Sequence, residues 1–250
     1  MNDINMCRVV HDLKLPVYNV SDAVSIVKTL TDDPDVLKML ELIDQSCLYM
    51  KRSIGTLFDL VQLKDYNVRI EYSARSISEF INEYILWIMP VLESKNIVFE
   101  HRIKVEKDEF VCDYDMLIKV LNNLIGNAIK YNDKEEKRIK LVVGQSGENY
   151  AFSVEDNGIG IPSEEIELLM GCHYRASNAN LVSTDGNGLG LNLINEIVRK
   201  LNGNVKIKST LGVGSKFTVT LPEGTVTTLR SESPQLLIMR NYALEEFFLC

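Results

Sequence analysis

A seven-residue repeat of apolar side chains runs through the first 64 residues and restricts the possible folds more than any other feature. In the first part of this segment, apolar residues recur in alternating steps of three and four at Val10, Leu13, Val17, Val20, Val24 and Val27. After a break at residues 31–35, the pattern resumes at Leu40, Ile43, Cys47, Met50, Ile54, Leu57 and Val61. Such a repeat predicts two successive helices, each with one apolar stripe.

The residues between the two stripes predict a tight helical hairpin. Pro34 suits the first turn of the second helix, and Asp32 or Asp33 would cap it. One hairpin has too little chain of its own to cover its apolar stripe. Two hairpins joined as a four-helix bundle bury both stripes, so we predict a homodimer, with packing against the rest of the chain as the alternative.

Composition excludes several classes of protein. The 250 residues are 46% hydrophobic and 25% charged, which is ordinary for one large globular domain or two small ones. The net charge of −8 leaves no excess of cations for phosphates, so general nucleic-acid binding is not expected. No apolar run is long enough for a transmembrane segment, and the five scattered cysteines do not indicate a zinc site or a disulfide framework.

From residue 65 the pattern changes to alternating strands and helices. Helices are predicted over 77–95, 115–131 and 189–201, and strands over 68–73, 97–103, 139–143, 150–155, 205–209 and 216–221. This order predicts an α+β fold in which a mixed sheet is covered by helices on one face.

Polar residues on the predicted helix over 115–131 have the chemistry of a metal and phosphate site. Asn123 and Asn127 are four residues apart and share a face, and Lys130 lies near the same face. Amide oxygens and an ammonium group that point one way suit a hydrated Mg²⁺ and a polyphosphate.

Two glycine-rich segments follow in the sequence. Asp156 comes directly after a strand, where its carboxylate would accept a hydrogen bond from an exocyclic amine such as that of adenine, and Gly158 and Gly160 allow close approach of the backbone. Residues 185–191 read Asp-Gly-Asn-Gly-Leu-Gly-Leu and open a helix, which is typical of an anion site.

Together and in this order, the three clusters resemble the N, G1 and G2 boxes of the Bergerat-fold ATPases, the domain shared by histidine kinases, gyrase, Hsp90 and MutL. The similar segments are 123–131, 156–162, 186–190 and a closing segment over 202–222. The run His11-Asp12-Leu13-Lys14-Leu15-Pro16 is then similar to the H box of a sensor histidine kinase. The resemblance implies a dimerisation and phosphotransfer domain over 1–66, an ATP-binding kinase domain over 67–222 and a tail over 223–250.

The resemblance also implies roles for single residues. His11 would accept the γ-phosphoryl group of ATP and Asp12 would act as its general base, while Asn127, assisted by Asn123, would bind Mg²⁺. The expected contacts to ATP are Lys130, Tyr131, Asp156, Gly158, Gly160, Ile161, Tyr174, Arg175, Gly186, Gly188, Leu189 and Gly190. Residues 176–187 would form a mobile lid.

Three departures from the family pattern bear on the reaction. The ATP-hydrolysing branch resembles Glu-x-x-x-Asn, but Asn123 stands at the Glu position and cannot take a proton from water. Leu15 stands where kinases that are also phosphatases have Thr or Asn, so weak phosphatase activity is expected, and a Leu15→Thr variant without any gain would count against this. Residues 169–173 lack two expected Phe residues, and His173 is interpreted as a packing substitute.

The sequence therefore predicts an ATP-dependent protein histidine kinase that passes its phosphoryl group to a response-regulator receiver domain. The alternatives are a non-catalytic phosphotransfer or scaffold protein and, against the evidence of the His11 hairpin, a serine kinase resembling anti-sigma factors. A cytoplasmic location is expected. Because only ten residues precede His11, no sensor domain is expected in this chain, which would be the core of a membrane receptor or a kinase that serves a separate sensor.

Overall fold

The computed structural model describes residues 3–64, 68–169, 176–181 and 188–225. These residues form two compact units, one that ends at Val68 and one that begins at Arg69. No helix among them is both long and apolar enough to cross a membrane.

The first unit is the predicted helical hairpin, with α1 over Asp3–Lys28 and α2 over Pro34–Lys64. The helix α1 continues through Pro16. Of the two predicted caps of α2, the structure has Asp33, whose Oδ1 accepts hydrogen bonds from the backbone N–H groups of Asp35 at 2.9 Å and Val36 at 3.3 Å.

Along α1 and the first half of α2, each helix of the hairpin buries one apolar row of its heptads and leaves a second row exposed, whereas Ile54, Leu57 and Val61 further along α2 are half-buried. The buried row consists of Val10, Val17, Val24, Leu40 and Cys47. The exposed row has exposed fractions between 40% and 48% and consists of Leu13, Val20, Val27, Ile43 and Met50. The hairpin on its own therefore covers about half of the apolar pattern that the sequence carries.

The second unit is the predicted mixed sheet with helices. Its strands are β1 Ser73–Ser76, β2 Ile97–Lys104, β3 Glu109–Cys112, β4 Lys137–Ser146, β5 Asn149–Asp156, β6 Asn204–Thr210 and β7 Gly214–Pro222. Its helices are α3 Ile77–Ser94, α4 Tyr114–Lys130, α5 Ile166–Leu169 and α6 Leu189–Lys200, with short 3₁₀ turns at Ser163–Glu165 and Ser177–Leu181.

Five strands form the main sheet in the order β2-β4-β5-β7-β6, in which β2 and β4 are parallel and the other pairs are antiparallel. The helices α4 and α6 contact each other and this sheet. Alternate residues of the central strands are buried, and among them are Leu141, Val143, Phe152, Val154 and Val219. The predicted α+β architecture is confirmed.

The strand predicted over 68–73 is wrong. The structure has an irregular segment at 68–72, and the strand β1 lies over Ser73–Ser76, where it pairs antiparallel with β3. The strand β3 was not predicted from the sequence. The irregular segment is held by the backbone N–H of Glu71, which donates to Oδ2 of Asp113 at 2.9 Å.

Candidate functional site

The helix α4 presents the three polar residues predicted for a metal and phosphate site. Its opposite face is buried, with Leu117, Leu121 and Ile125 at 0% exposure. Asn123, Asn127 and Lys130 lie on the half-buried side of the helix. Asp113 caps the helix through a 3.0 Å hydrogen bond from the N–H of Met116 to its Oδ1.

The two amides on this face differ in what they bind. Nδ2 of Asn123 donates to the backbone carbonyl of Lys119 at 2.8 Å, whereas the side chain of Asn127 forms no hydrogen bond with the described residues. Among the described residues, no group of three His, Cys, Asp or Glu side chains is placed to hold a metal. The amide oxygen of Asn127, together with phosphate and water, fits the hard oxygen ligands that Mg²⁺ prefers.

Asp156 ends β5 with one oxygen held and the other open. Its Oδ1 accepts hydrogen bonds from the backbone N–H groups of Gly158 at 2.9 Å and Ser215 at 3.3 Å, and no described residue donates to Oδ2. Burial raises the pKa of this carboxyl to about 6, against the lowering effect of the two N–H groups. The fixed carboxylate has a free oxygen that fits an exocyclic amine.

Two glycines after Asp156 are required by close backbone contacts. A Cβ on Gly158 would lie 2.2 Å from the carbonyl oxygen of Tyr131. Gly160 has φ +65°, and a Cβ there would lie 2.0 Å from the carbonyl oxygen of Thr210. The turn therefore lies directly against the end of α4 and the end of β6.

An apolar cluster adjoins this turn. Its buried members are Ile161, Ala176 and Ala179, and the partly buried side chains packed against them are Tyr131, Ile166, Leu169, Ile207 and Phe217. The Nζ atom of Lys130 lies 5.5 Å from the centre of the Tyr131 ring. A cluster of this composition beside a fixed carboxylate suits a flat heterocycle that also carries an amine.

The third predicted cluster begins α6 beside α4. Gly188 occupies the N-cap position with φ +68°, and Leu189 and Gly190 form the first turn. A Cβ on Gly190 would lie 2.8 Å from Oδ1 of Asn123, so the glycine allows the first turn of α6 to approach the polar face of α4. Helix N-termini attract phosphate through their N–H groups and dipole.

An asparagine pair that sequence analysis missed holds these parts together. Nδ2 of the buried Asn132 donates to Oδ1 of Asn157 at 2.9 Å, and the same Oδ1 accepts the N–H of Arg138 at 2.8 Å. Nδ2 of Asn157 donates to the carbonyl of Glu136 at 2.9 Å. The pair connects the end of α4 to the glycine turn. In the sequence, Asn132 is only a polar residue after a helix and Asn157 only the middle of an Asp-Asn-Gly turn, so neither pattern predicts that they are bonded.

Several of the remaining predicted site residues are not placed by the structure. Tyr174, Arg175, Gly186 and His173 lie outside the described residues, as does the second half of the predicted lid over 176–187. The backbone of His11 lies in α1 and its side chain is outside the described part of the chain, whereas Asp12 is exposed. The structure brings together the predicted residues of α4, the glycine turn and the start of α6.

Comparison with known families and structures agrees with this geometry. Residues 112–225 match the family described as histidine kinase-, DNA gyrase B-, and HSP90-like ATPase. The sensor histidine kinase YvrG of Bacillus subtilis is 30% identical over 214 residues, which cover 84% of this chain and 36% of YvrG. The chain thus spans about a third of the length of that curated relative.

Solved histidine kinases have the same fold over most of the chain. Full-length ShkA in complex with AMPPNP has a TM-score of 0.68 at 18% identity and covers 91% of this chain and 47% of ShkA. ThkA in complex with the response regulator TrrA has a TM-score of 0.60 at 21% identity and covers 87% of this chain and 60% of that one. Residues 112–225 thus match the histidine kinase-, DNA gyrase B- and HSP90-like ATPase family, and most of the chain is similar in sequence to YvrG and in fold to solved histidine kinases.

Proposed function

We propose that this chain is an ATP-dependent protein histidine kinase that phosphorylates its own His11. The observation that carries the proposal is Asp156, whose Oδ1 is fixed by two backbone N–H groups while Oδ2 is open beside an apolar cluster. Oδ2 accepts a hydrogen bond from the exocyclic amine of adenine, and Tyr131 and Ile161 contact the base.

The phosphates lie between α4 and the start of α6. Gly188, Leu189 and Gly190 bring backbone N–H groups to the phosphates, and Lys130 adds a positive charge. The amide oxygen of Asn127 would be a ligand of Mg²⁺, which neutralises phosphate charge when it is bound. Asn123 positions the start of α6 through its contact with Gly190 and assists Asn127. By family resemblance, Gly186 contributes to the phosphate loop, and Tyr174 and Arg175 contact the nucleotide.

Transfer to His11 rather than to water follows from the residue types. A ring nitrogen of His11 attacks the γ-phosphorus, the bond to the β–γ bridging oxygen breaks, ADP leaves, and Asp12 takes the proton from the imidazolium. Water lacks a base, because Asn123 stands where the hydrolysing branch has Glu. The absence of a hydrogen-bonding group at Leu15, which is 66% exposed, further supports weak phosphatase activity.

The same proposal extends to a partner and an assembly. The phosphoryl group passes from His11 to an aspartate of a response-regulator receiver domain, by analogy with the ThkA complex. A second copy of the hairpin covers the exposed row of heptad residues and forms a four-helix bundle. The reaction uses ATP, and we place it in the cytoplasm, as the family resemblance implies. The proposed domains are a phosphotransfer domain over 1–66, a kinase domain over 67–222 and a tail over 223–250.

Incubation of the purified chain with Mg²⁺ and γ-labelled ATP tests the proposal. Acid-labile, alkali-stable label is expected on the unmodified chain and absent from His11→Ala and Asn127→Ala. His101→Ala and Asn149→Ala are matched controls, because both residues are exposed on strands away from the site, and they should retain label. Absence of label in a chain that still binds ATP would replace the proposal with the phosphotransfer or scaffold alternative.

A further inference from the structure

The face of the main sheet that points away from α4 and α6 is basic, although the chain carries a net charge of −8. Burial alternates along each strand, so the residues between the buried ones point to this outer face. Its charged side chains are the basic Arg102, Lys104, Arg138, Lys140, Lys206, Lys208 and Lys216 and the acidic Glu100 and Glu155.

The acidic side chains of the outer face are already paired. Glu100 lies 3.3 Å from Lys140, and Glu155 lies 3.5 Å from Lys216. Arg138 in turn is paired with a carboxylate of the preceding turn at 2.6 Å. Four exposed basic side chains form no ion pair with any described residue, and these are Arg102, Lys104, Lys206 and Lys208.

These four side chains form two rims on opposite edges of the sheet. Arg102 and Lys104 lie on the edge strand β2, and Lys206 and Lys208 lie on the edge strand β6. The strand register places Arg102 and Lys206 in one row across five strands. Four strand intervals of about 4.8 Å separate the rims by roughly 19 Å.

Between the rims, the rows that contain Arg102 and Lys104 are uncharged, whereas the adjoining row contains the paired Lys140, Glu155 and Lys216. The uncharged rows consist of Val142, Gly144, Ala151, Ser153, Thr218 and Thr220. The hydroxyl groups of Ser153 and Thr218 lie 2.9 Å apart and are hydrogen-bonded to each other. Small side chains of this kind allow a helix backbone to approach the sheet closely.

We propose that this outer face binds an acidic amphipathic α-helix of a partner protein. A helix with its side chains is about 10–12 Å wide, so one helix fits between rims that are roughly 19 Å apart. Small apolar residues of the helix contact the uncharged rows, and carboxylates on its two flanks reach the unpaired cations of both rims. The net negative charge elsewhere repels an acidic partner and directs it to this face.

The basic rims have a competing explanation, because lysines on edge strands also discourage edge-to-edge association between sheets. The two explanations differ in what charge reversal does. If the rims only prevent aggregation, reversal leaves the affinity for an acidic helix unchanged, because no helix binds there. If they dock a helix, reversal at either rim weakens binding.

The probe is a fluorescein-labelled helical peptide of about 18 residues with Ala along one face and Glu on both flanks, which spans about 27 Å. Its binding to the full chain is measured by fluorescence anisotropy at low and at high salt. Binding is expected at low salt and should weaken as salt rises. Arg102→Glu with Lys104→Glu, and Lys206→Glu with Lys208→Glu, should each weaken it at least tenfold.

Lys38→Glu with Lys64→Glu is the matched control, because it makes the same change in net charge on exposed lysines of α2 and should alter the affinity less than twofold. ATP binding should be unchanged in every variant, which verifies that the kinase unit is folded. The proposal is overturned if the unmodified chain does not bind the peptide, if the control pair weakens binding equally, or if a scrambled peptide of the same composition binds as well. Binding of duplex DNA or anionic vesicles without binding of the peptide would also overturn it.

Discussion

The hairpin and the mixed unit bury apolar side chains to very different extents. The mixed unit buries several of its large aromatic residues completely, among them Phe80, Phe110 and Phe152. The hairpin buries one heptad row, and its second row remains at least 40% exposed. The mixed unit thus buries its own core, which supports the ligand site. The hairpin leaves apolar side chains exposed, and we infer that a second copy of the hairpin covers them.

The largest expected effect tests whether a second copy completes the hairpin. Val20→Glu combined with Ile43→Glu places charges in the exposed apolar row. We expect the dissociation constant of the dimer to rise more than about a hundredfold, because burying unpaired charges in an interface is costly. Light scattering after size exclusion measures the mass. Asn19→Glu adds a charge at a neighbouring exposed polar position and should leave the dimer intact. A monomeric unmodified chain would contradict the inference.

The converse change damages the mixed unit and spares the hairpin. Gly160→Ala forces a side chain into a left-handed conformation and against the carbonyl oxygen of Thr210, and we expect a loss of about 3 kcal/mol in unfolding free energy together with loss of ATP binding. Urea unfolding followed by the fluorescence of Trp87, the single tryptophan, reports on this unit.

Gly144→Ala is the matched control for this change, because a Cβ at Gly144 meets no atom within 4 Å. It should leave the unfolding transition and ATP binding nearly unchanged. The dimer should persist in both glycine variants. Equal destabilisation by the two variants would mean that the turn around Gly160 is not the constraint that the structure indicates.

The same contrast explains which features sequence reasoning found. Local patterns predicted α4, the glycine turn and a cap at Asp32 or Asp33, because apolar spacing, glycine and capping residues act within a few positions of the chain. The strand pair β1–β3 and the bond between Asn132 and Asn157 were missed, since their partners are distant in sequence. The heptads predicted the hairpin, but which row stays exposed depends on how two helices pack.

The variant Asp156→Asn tests whether the buried carboxylate of the site lowers the unfolding free energy of the mixed unit. Burial raises the pKa of this carboxyl from 3.8 to about 6, so the folded chain binds more protons than the unfolded chain between these values and stability falls as pH rises through them. Asp156→Asn keeps an acceptor for the N–H of Gly158 and removes the charge. We expect the variant to gain about 2 kcal/mol at pH 7.5 and little at pH 4, and to lose ATP affinity.

Glu155→Gln is the control for the Asp156 change, because Glu155 is the neighbouring exposed carboxylate on the outer face. It should change neither stability nor ATP affinity appreciably. Urea unfolding followed by Trp87 fluorescence at the two pH values gives the comparison. An equal effect of Asp156→Asn at both pH values would show that the charge of the buried carboxyl is not what destabilises the unit.

The smallest expected effect lies at the turn of the hairpin. Asp33→Ala removes the acceptor for the N–H groups of Asp35 and Val36, which should cost about 1 kcal/mol in the stability of the helical unit. Asp32→Ala removes the same charge from the adjacent exposed position and should cost much less. Thermal unfolding followed by far-ultraviolet circular dichroism distinguishes them, and equal shifts would assign the effect to charge rather than to the cap. Because dimerisation would add stability to α2, both variants are compared at one protein concentration, at which a shift confined to Asp33→Ala isolates the local contribution of the turn.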